Sequence, residues 1–273
     1  MTRNASRRNA NNRSGIDLSA LPVGPVLVSL GVAELERRER GVLLRLDGTE
    51  SSFIDLSNPT HLDFEYQQQM DAAINTFFEA GMPLRTVHLG GAACALARAW
   101  AASRPGSAQL AVELDELLAS KVREWFDLPR SPALRIRVGD AAKVAPTLRP
   151  GEWDVMVRDV FTRGTVPEAV RTREFTQACA RALAPGGIYL ANLPSLPRPR
   201  AAEELRVVRE TFKAHAVVAD NAVARGKRRG NIVVVAANAP WGREQREELE
   251  RAMRRLPLPS RTWELTDPAL PQP

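Results

Sequence analysis

Cysteine is scarce in this sequence: Cys94 and Cys179 are the only two. Their spacing fits neither metal ligation nor a disulfide framework, so no metal is expected and a reducing cytosol suits the chain. No stretch reaches the run of about 18 apolar residues that a membrane-spanning helix needs. The opening MTRNASRRNANNRSG is polar and Arg-rich and lacks an apolar segment, which argues against a secretory signal and for a cytoplasmic location. There is no internal repeat, and no G-x-G-x-x-G, so the dinucleotide fingerprint is not met.

What is present is a chain of 273 residues, 44% hydrophobic, enough for one large α/β domain with a smaller attachment. The formal charge is +6 and the pI about 10.0. The basic residues are scattered, however. Arg3, Arg7, Arg8 and Arg13 lie in the opening segment, Arg225, Lys227, Arg228 and Arg229 sit between two apolar runs, and Arg243, Arg246, Arg251, Arg254 and Arg255 alternate with acids. Solvated faces and a loose tail account for this pattern better than a nucleic-acid stripe does.

Residues 1–20 lack hydrophobic periodicity and are expected to form a disordered basic tail. Residues 21–80 read as a small N-terminal β-region, with a turn at Asp47-Gly48, followed by a linking helix in DFEYQQQMDAAINTFF. From residue 81 to 240, short apolar strands alternate with helices. TVHLGG, AQLAVELD, ALRIRVGD, WDVMVRDVF and IYLANL are strands, ALAPGG stops a helix, and AVVAD with NIVVVAAN reads as a closing antiparallel pair. That alternation predicts an α/β fold with a doubly wound, mostly parallel sheet. Residues 241–273 read as a last helix and an irregular proline-rich tail.

In open α/β sheets ligands bind outside the carboxyl ends of the strands, so those ends carry the candidates. Gly90-Gly91 ends the first strand, where small residues admit a ligand or make a tight turn. Glu113 ends the second, placed to accept ribose hydroxyls or to act as an acid at a helix N-terminus; Asp115 suits an N-cap. Asp140 ends the third, as an acceptor for an adenine amino group or as an Asx cap. Asp159 ends the fourth, as a proton acceptor for an amine or as a capping or ion-paired acid beside Arg158 and Arg163. Glycines, Glu113 and Asp140 at successive strand ends suggest adenosine binding without a pyrophosphate. The expected arrangement is one cleft holding Gly90, Glu113 and Asp140, with Asp159 on its rim.

HLGGAACALARAW, AVELD, IRVGDA, WDVMVRDVF and ALAPGGIYLANL, in this order, resemble the spermidine synthases, a family of polyamine biosynthesis built on the Rossmann-like class I methyltransferase fold. FEYQQQM, ahead of them, looks like the segment by which these aminopropyltransferases join their β-region to the catalytic domain. The resemblance spans roughly residues 25–240. It implies transfer of an aminopropyl group from decarboxylated S-adenosylmethionine to a small-molecule amine, with Asp159 deprotonating or orienting the amine. Tyr66 and Gln67 would line the amine pocket, Gly90 and Gly91 make room for the nucleoside, Glu113 hold the ribose and Asp140 the adenine. The alternatives are a methyltransferase using S-adenosylmethionine itself and a non-catalytic nucleoside-binding relative. Such relatives often pair, so a homodimer is expected on resemblance alone. Two positions depart from the family pattern. Ala93 and Thr162 stand where it carries acids, which predicts weak binding of putrescine.

Overall fold

The computed structural model describes residues 16–272. Residues 1–15 of the expected basic tail therefore lie outside the described residues. Ile16 is buried, and Leu18–Ala20 form a 3-10 turn whose Ser19 N–H donates to Asp17 Oδ1 at 2.9 Å.

Four antiparallel strands follow, paired in chain order: β1 (Val26–Leu27), β2 (Val32–Arg37), β3 (Gly41–Leu46) and β4 (Thr49–Asp55). Asp47 and Gly48 join β3 to β4, both at positive φ (48° and 75°), as a two-residue hairpin turn requires. Helix α1 (Glu65–Phe77) then leads into the second sheet.

That sheet is laid down by β5 (Arg85–Leu89), α2 (Ala95–Ser103), β6 (Ala108–Glu113), α3 (Glu116–Trp125), β7 (Arg135–Val138), α4 (Ala141–Val144), β8 (Trp153–Arg158), α5 (Arg173–Ala182), β9 (Leu183–Pro194), α6 (Arg198–Thr211), β10 (Ala214–Ala219), α7 (Asn221–Ala224), β11 (Asn231–Ala237), α8 (Arg243–Arg254) and β12 (Arg261–Trp263). The strand order is β12-β10-β11-β9-β8-β5-β6-β7. From β9 to β7 all pairs are parallel; β11 runs against both β9 and β10. The carboxyl edge of the sheet therefore gathers the ends of β7, β6, β5, β8, β9 and β10 together with the start of β11.

Burial on both faces explains the near-continuous apolar strands. Ile232, Val233, Val234, Val235 and Ala236 of β11 are fully buried, alternately facing two core clusters on opposite sides of the sheet. Each such valine contributes about 1.5–3 kcal/mol of hydrophobic burial. No helix among the described residues is long and apolar enough to cross a membrane.

Two expectations are corrected. LAPGG does not merely stop a helix: α5 ends at Ala182, and β9 already begins at Leu183, which pairs with Trp153. A register shift between Trp153 and Val155 absorbs the Pro-Gly-Gly residues as a bulge, with Gly186 at φ 79°. The tail after Pro257 is not wholly irregular either. It supplies β12, which pairs with β10, and Ser260, whose Oγ accepts a hydrogen bond from Gln69 Nε2 of α1 at 2.9 Å.

Candidate active site

The glycine turn after β5 is shaped by crowding. Gly90 sits at φ 93°, and a Cβ there would lie 2.1 Å from the Asp159 carbonyl oxygen, so the exits of β5 and β8 touch through backbone alone. Ala92 and Cys94 follow with φ of 41° and 56°, in the left-handed region that glycine occupies without strain. Glu113 closes this turn. Its Oε2 accepts from Gly91 N (3.1 Å) and Ala92 N (2.8 Å), and its Oε1 accepts from Asp115 N (3.0 Å).

Asp115 is the N-cap of α3, accepting from Leu118 N at 2.8 Å, and it also accepts from Ser29 N and Leu30 N of the N-terminal sheet. Burial opposes its charge, but these N–H donors together hold its carboxyl below the usual range. Asp140 caps α4 through Ala142 N at 2.9 Å. The capping alternatives for Asp115 and Asp140 are thus met, and Asp140 still faces the cavity described below.

Asp159 follows β8 and is clamped from two sides. Tyr66 Oη donates to Oδ2 at 2.8 Å and Asn192 Nδ2 donates to Oδ1 at 2.9 Å. Gln67 Nε2 donates to Tyr66 Oη at 3.3 Å. Burial pushes the Asp159 carboxyl above its ordinary value, and the two donors and the Arg158 charge pull it only partly back. Burial and the neighbouring carboxylate hold the Tyr66 phenol well above its own value, so it stays a donor. The ion pair considered with Arg158 is not made. Arg158 instead points to the far side of the sheet, buried, 2.8 Å from Glu204 Oε2.

One cavity of about 1110 Å³ joins these groups. It is lined by Gly90, Gly91, Glu113 and Asp140 on one side and by Asp159, Tyr66 and Gln67 further along. Asn192, Asp220 and Arg228, which the sequence reading missed as site residues, also line it, as do Asp63 and Glu65, the two acids near Tyr66 that could stand in for the missing pair. Asn192 and Asp220 lie within or just beyond β9 and β10, so the strand-end rule that found Asp159 reaches them as well. Arg228 enters from the loop before β11, and only the reversal of that strand brings it to this edge. Within a basic chain, the cavity wall is acidic.

The two departures differ in the structure. Ala93 is fully buried among Val42, Leu44 and Ile54, with its N–H on Ser52 Oγ at 3.2 Å, and it does not line the cavity. Thr162 does line it, in a tight bridge to Thr165 with Arg163 and Gly164 at positive φ.

No protein-family profile matches the chain. A curated polyamine aminopropyltransferase of Chromobacterium violaceum is 26% identical over 163 residues, which is 58% of this chain and 61% of that relative. The chain thus spans less than two thirds of the length of that relative. The crystal structure of a probable spermidine synthase from Corynebacterium glutamicum superposes with a TM-score of 0.82 at 36% identity, covering 89% of this chain and 91% of the other. A spermidine synthase in complex with the transition state analogue AdoDATO shares the fold at 15% identity, with a TM-score of 0.62 over 86% of this chain and 79% of that one. The Rossmann-like sheet is the one that spermidine synthases share with class I methyltransferases.

Proposed function

This chain belongs to the spermidine synthase family, and from that premise we propose that it transfers an aminopropyl group from decarboxylated S-adenosylmethionine to an amine, releasing methylthioadenosine. The observation that carries this reading is Asp159, held by Tyr66 and Asn192 in the same cavity as the glycine turn and Glu113.

The nucleoside lies over the β5–β7 side. Gly90 and Gly91 leave room for it, Glu113 accepts from the ribose hydroxyls, and Asp140 accepts from the adenine amino group. The sulfonium then faces Asp159. An alkyl amine arrives largely protonated at neutral pH and must lose a proton before it attacks. Asp159 takes that proton; its raised pKa makes it a stronger base than an ordinary aspartate. The amine nitrogen bonds to the carbon next to sulfur, the carbon–sulfur bond breaks, and its electron pair stays on the now neutral thioether. The protein's main contribution is to hold two partners in line. The fold shared with the AdoDATO-bound spermidine synthase supports this placement. Location in a reducing cytosol and pairing as a homodimer belong to the same proposal; both cysteines are buried and unpaired.

A second reading, methyl transfer from S-adenosylmethionine, is favoured by one observation. Neither position 93 nor position 162 offers an acid to an aminopropyl ammonium. The test supplies each donor with a panel of amines and reads product masses. An aminopropyl increment with release of methylthioadenosine supports the first reading; a methyl increment from S-adenosylmethionine replaces it with the second.

A further inference from the structure

Arg158 and Asp159 are neighbours in the chain whose side chains part at the end of β8. Successive side chains along a strand point to opposite faces of the sheet. Val155 and Val157 face the core beneath α1, and Asp159 continues that row to Tyr66 and Asn192. Met156 faces the core on the α6 side, and Arg158 continues that row instead. There its Nη2 donates to Glu204 Oε2 at 2.8 Å. Both partners are buried, Arg158 at 2% exposure and Glu204 at 5%.

This ion pair is a poor stabiliser. Two buried charges lose their hydration, and apolar side chains of similar size often hold a fold as well or better. The exchange is also incomplete, because Nε and Nη1 of Arg158 and Oε1 of Glu204 make no hydrogen bond among the described residues. Neither residue lines the cavity, so neither touches substrate. What distinguishes the pair is its place. Arg158 is one peptide unit from the proton-accepting carboxylate, and it pairs with Ala191 in the β8–β9 register, next to Asn192. The pair therefore sits behind both Asp159 and one of the two groups that clamp it.

We propose that Arg158, locked by Glu204, is a positioning residue for Asp159: it pins the end of β8 so that the carboxylate meets Tyr66 and Asn192, and its charge acts on that carboxylate through the sheet. The proposal rests on the aminopropyl-transfer reading, in which Asp159 takes the amine proton. The groups that face Asp159 are the Tyr66 phenol of α1, the Asn192 amide of β9 and the Arg158 guanidinium; β5 offers only Leu89 and Gly90 there. The pair itself is faced by the Tyr189 phenol of β9, the Cys179 thiol of α5, and Arg171 and Arg200. Burial raises both the phenol and the thiol, the latter to about 12, so both stay neutral. Burial raises the Asp159 carboxyl, and the Arg158 charge is among the groups that draw it back. Removing the guanidinium should leave Asp159 protonated up to a higher pH.

The test compares the full unmodified chain with Arg158→Lys and with the double variant Arg158→Met, Glu204→Leu. The double variant removes both buried charges together and is expected to unfold at no lower temperature than the unmodified chain. Two titrations are read: the carboxyl carbon of Asp159 by NMR, its signal identified by its loss in Asp159→Asn, and the acid limb of kcat/KM from methylthioadenosine release. In the double variant both should move to higher pH, and kcat should fall about tenfold as the base loses its alignment. Methylthioadenosine affinity should stay unchanged. Arg158→Lys keeps a cation beside Glu204 and should hold both titrations near their native positions. Titrations that stay native in a stable double variant, a double variant that unfolds, or Arg158→Lys shifting as far as the double variant would each overturn the proposal. A shifted carboxyl titration with no aminopropyl product even from the unmodified chain would instead sink the transfer reading and leave the hold of Arg158 on Asp159 standing.

Discussion

On the β5–β7 side, the cavity wall is backbone and strand-end carboxylates, each tied to the turn or helix that follows its strand. On the β9–β11 side it is side chains from separate segments: Glu65 and Tyr66 of α1, Asn192 of β9, Asp220 after β10 and Arg228 before β11. In the proposed reading the first side takes the nucleoside, whose shape varies little, and glycines and strand-end carboxylates set its geometry. In the same reading the second side faces the amine, and it is built from groups that point mutations can exchange singly. Asp159 stands at the boundary, touching Gly90 through its carbonyl and Asn192 through its carboxylate.

The largest effect is expected at that boundary. Asp159→Asn should cut the transfer rate about a hundredfold or more, the scale of lost general-base catalysis, measured as methylthioadenosine release under saturating substrates. A loss below about threefold would mean that another group takes the proton. Next is Glu113→Gln, expected to weaken methylthioadenosine binding by about 1–3 kcal/mol, read by calorimetry. Because Glu113 also receives the N–H groups of Gly91 and Ala92, part of that loss reflects a loosened turn.

Tyr66→Phe probes how the two sides are joined. The Tyr66 hydroxyl lowers the Asp159 pKa, so its removal should move the acid limb of kcat/KM to higher pH. An unmoved limb would separate Tyr66 from proton transfer. Stability follows the same titration. The folded-state pKa of Asp159 is raised, so the folded protein binds more protons than the unfolded chain between the two values, and this group makes stability fall as pH rises through that window. The smallest effect is expected in the turn. Ala92→Gly should stabilise the protein by about 1 kcal/mol, because φ is already 41° and glycine relieves the strain there. Thermal unfolding checks it, and a destabilised variant would show that the turn tolerates alanine without strain.

The legibility of the two sides in the sequence differs for the same reason. Gly90, Glu113, Asp140 and Asp159 each terminate an apolar strand, a local pattern, and the alternation of strands with helices fixes which edge they share. The acceptor side depends on non-local facts. Glu65 and Asp63 can be named from the sequence as acids beside Tyr66, but that they line the cavity shows only once α1 is placed, and Arg228 reads as part of a solvated basic loop until β11 is seen to run backwards. At position 93 the glycine turn is a backbone motif, and whether its fourth residue faces ligand or protein depends on the N-terminal sheet packed against it. β12 was hidden by the prolines that flank it, since a three-residue edge strand has no periodicity of its own to read.

The division of the cavity at Asp159 is tested most directly by the affinity of methylthioadenosine for Asp159→Asn, measured beside Glu113→Gln. The expected result is near-native affinity in Asp159→Asn and clear weakening in Glu113→Gln. Equal weakening in both, with folds intact, would contradict the division and place Asp159 in the nucleoside site.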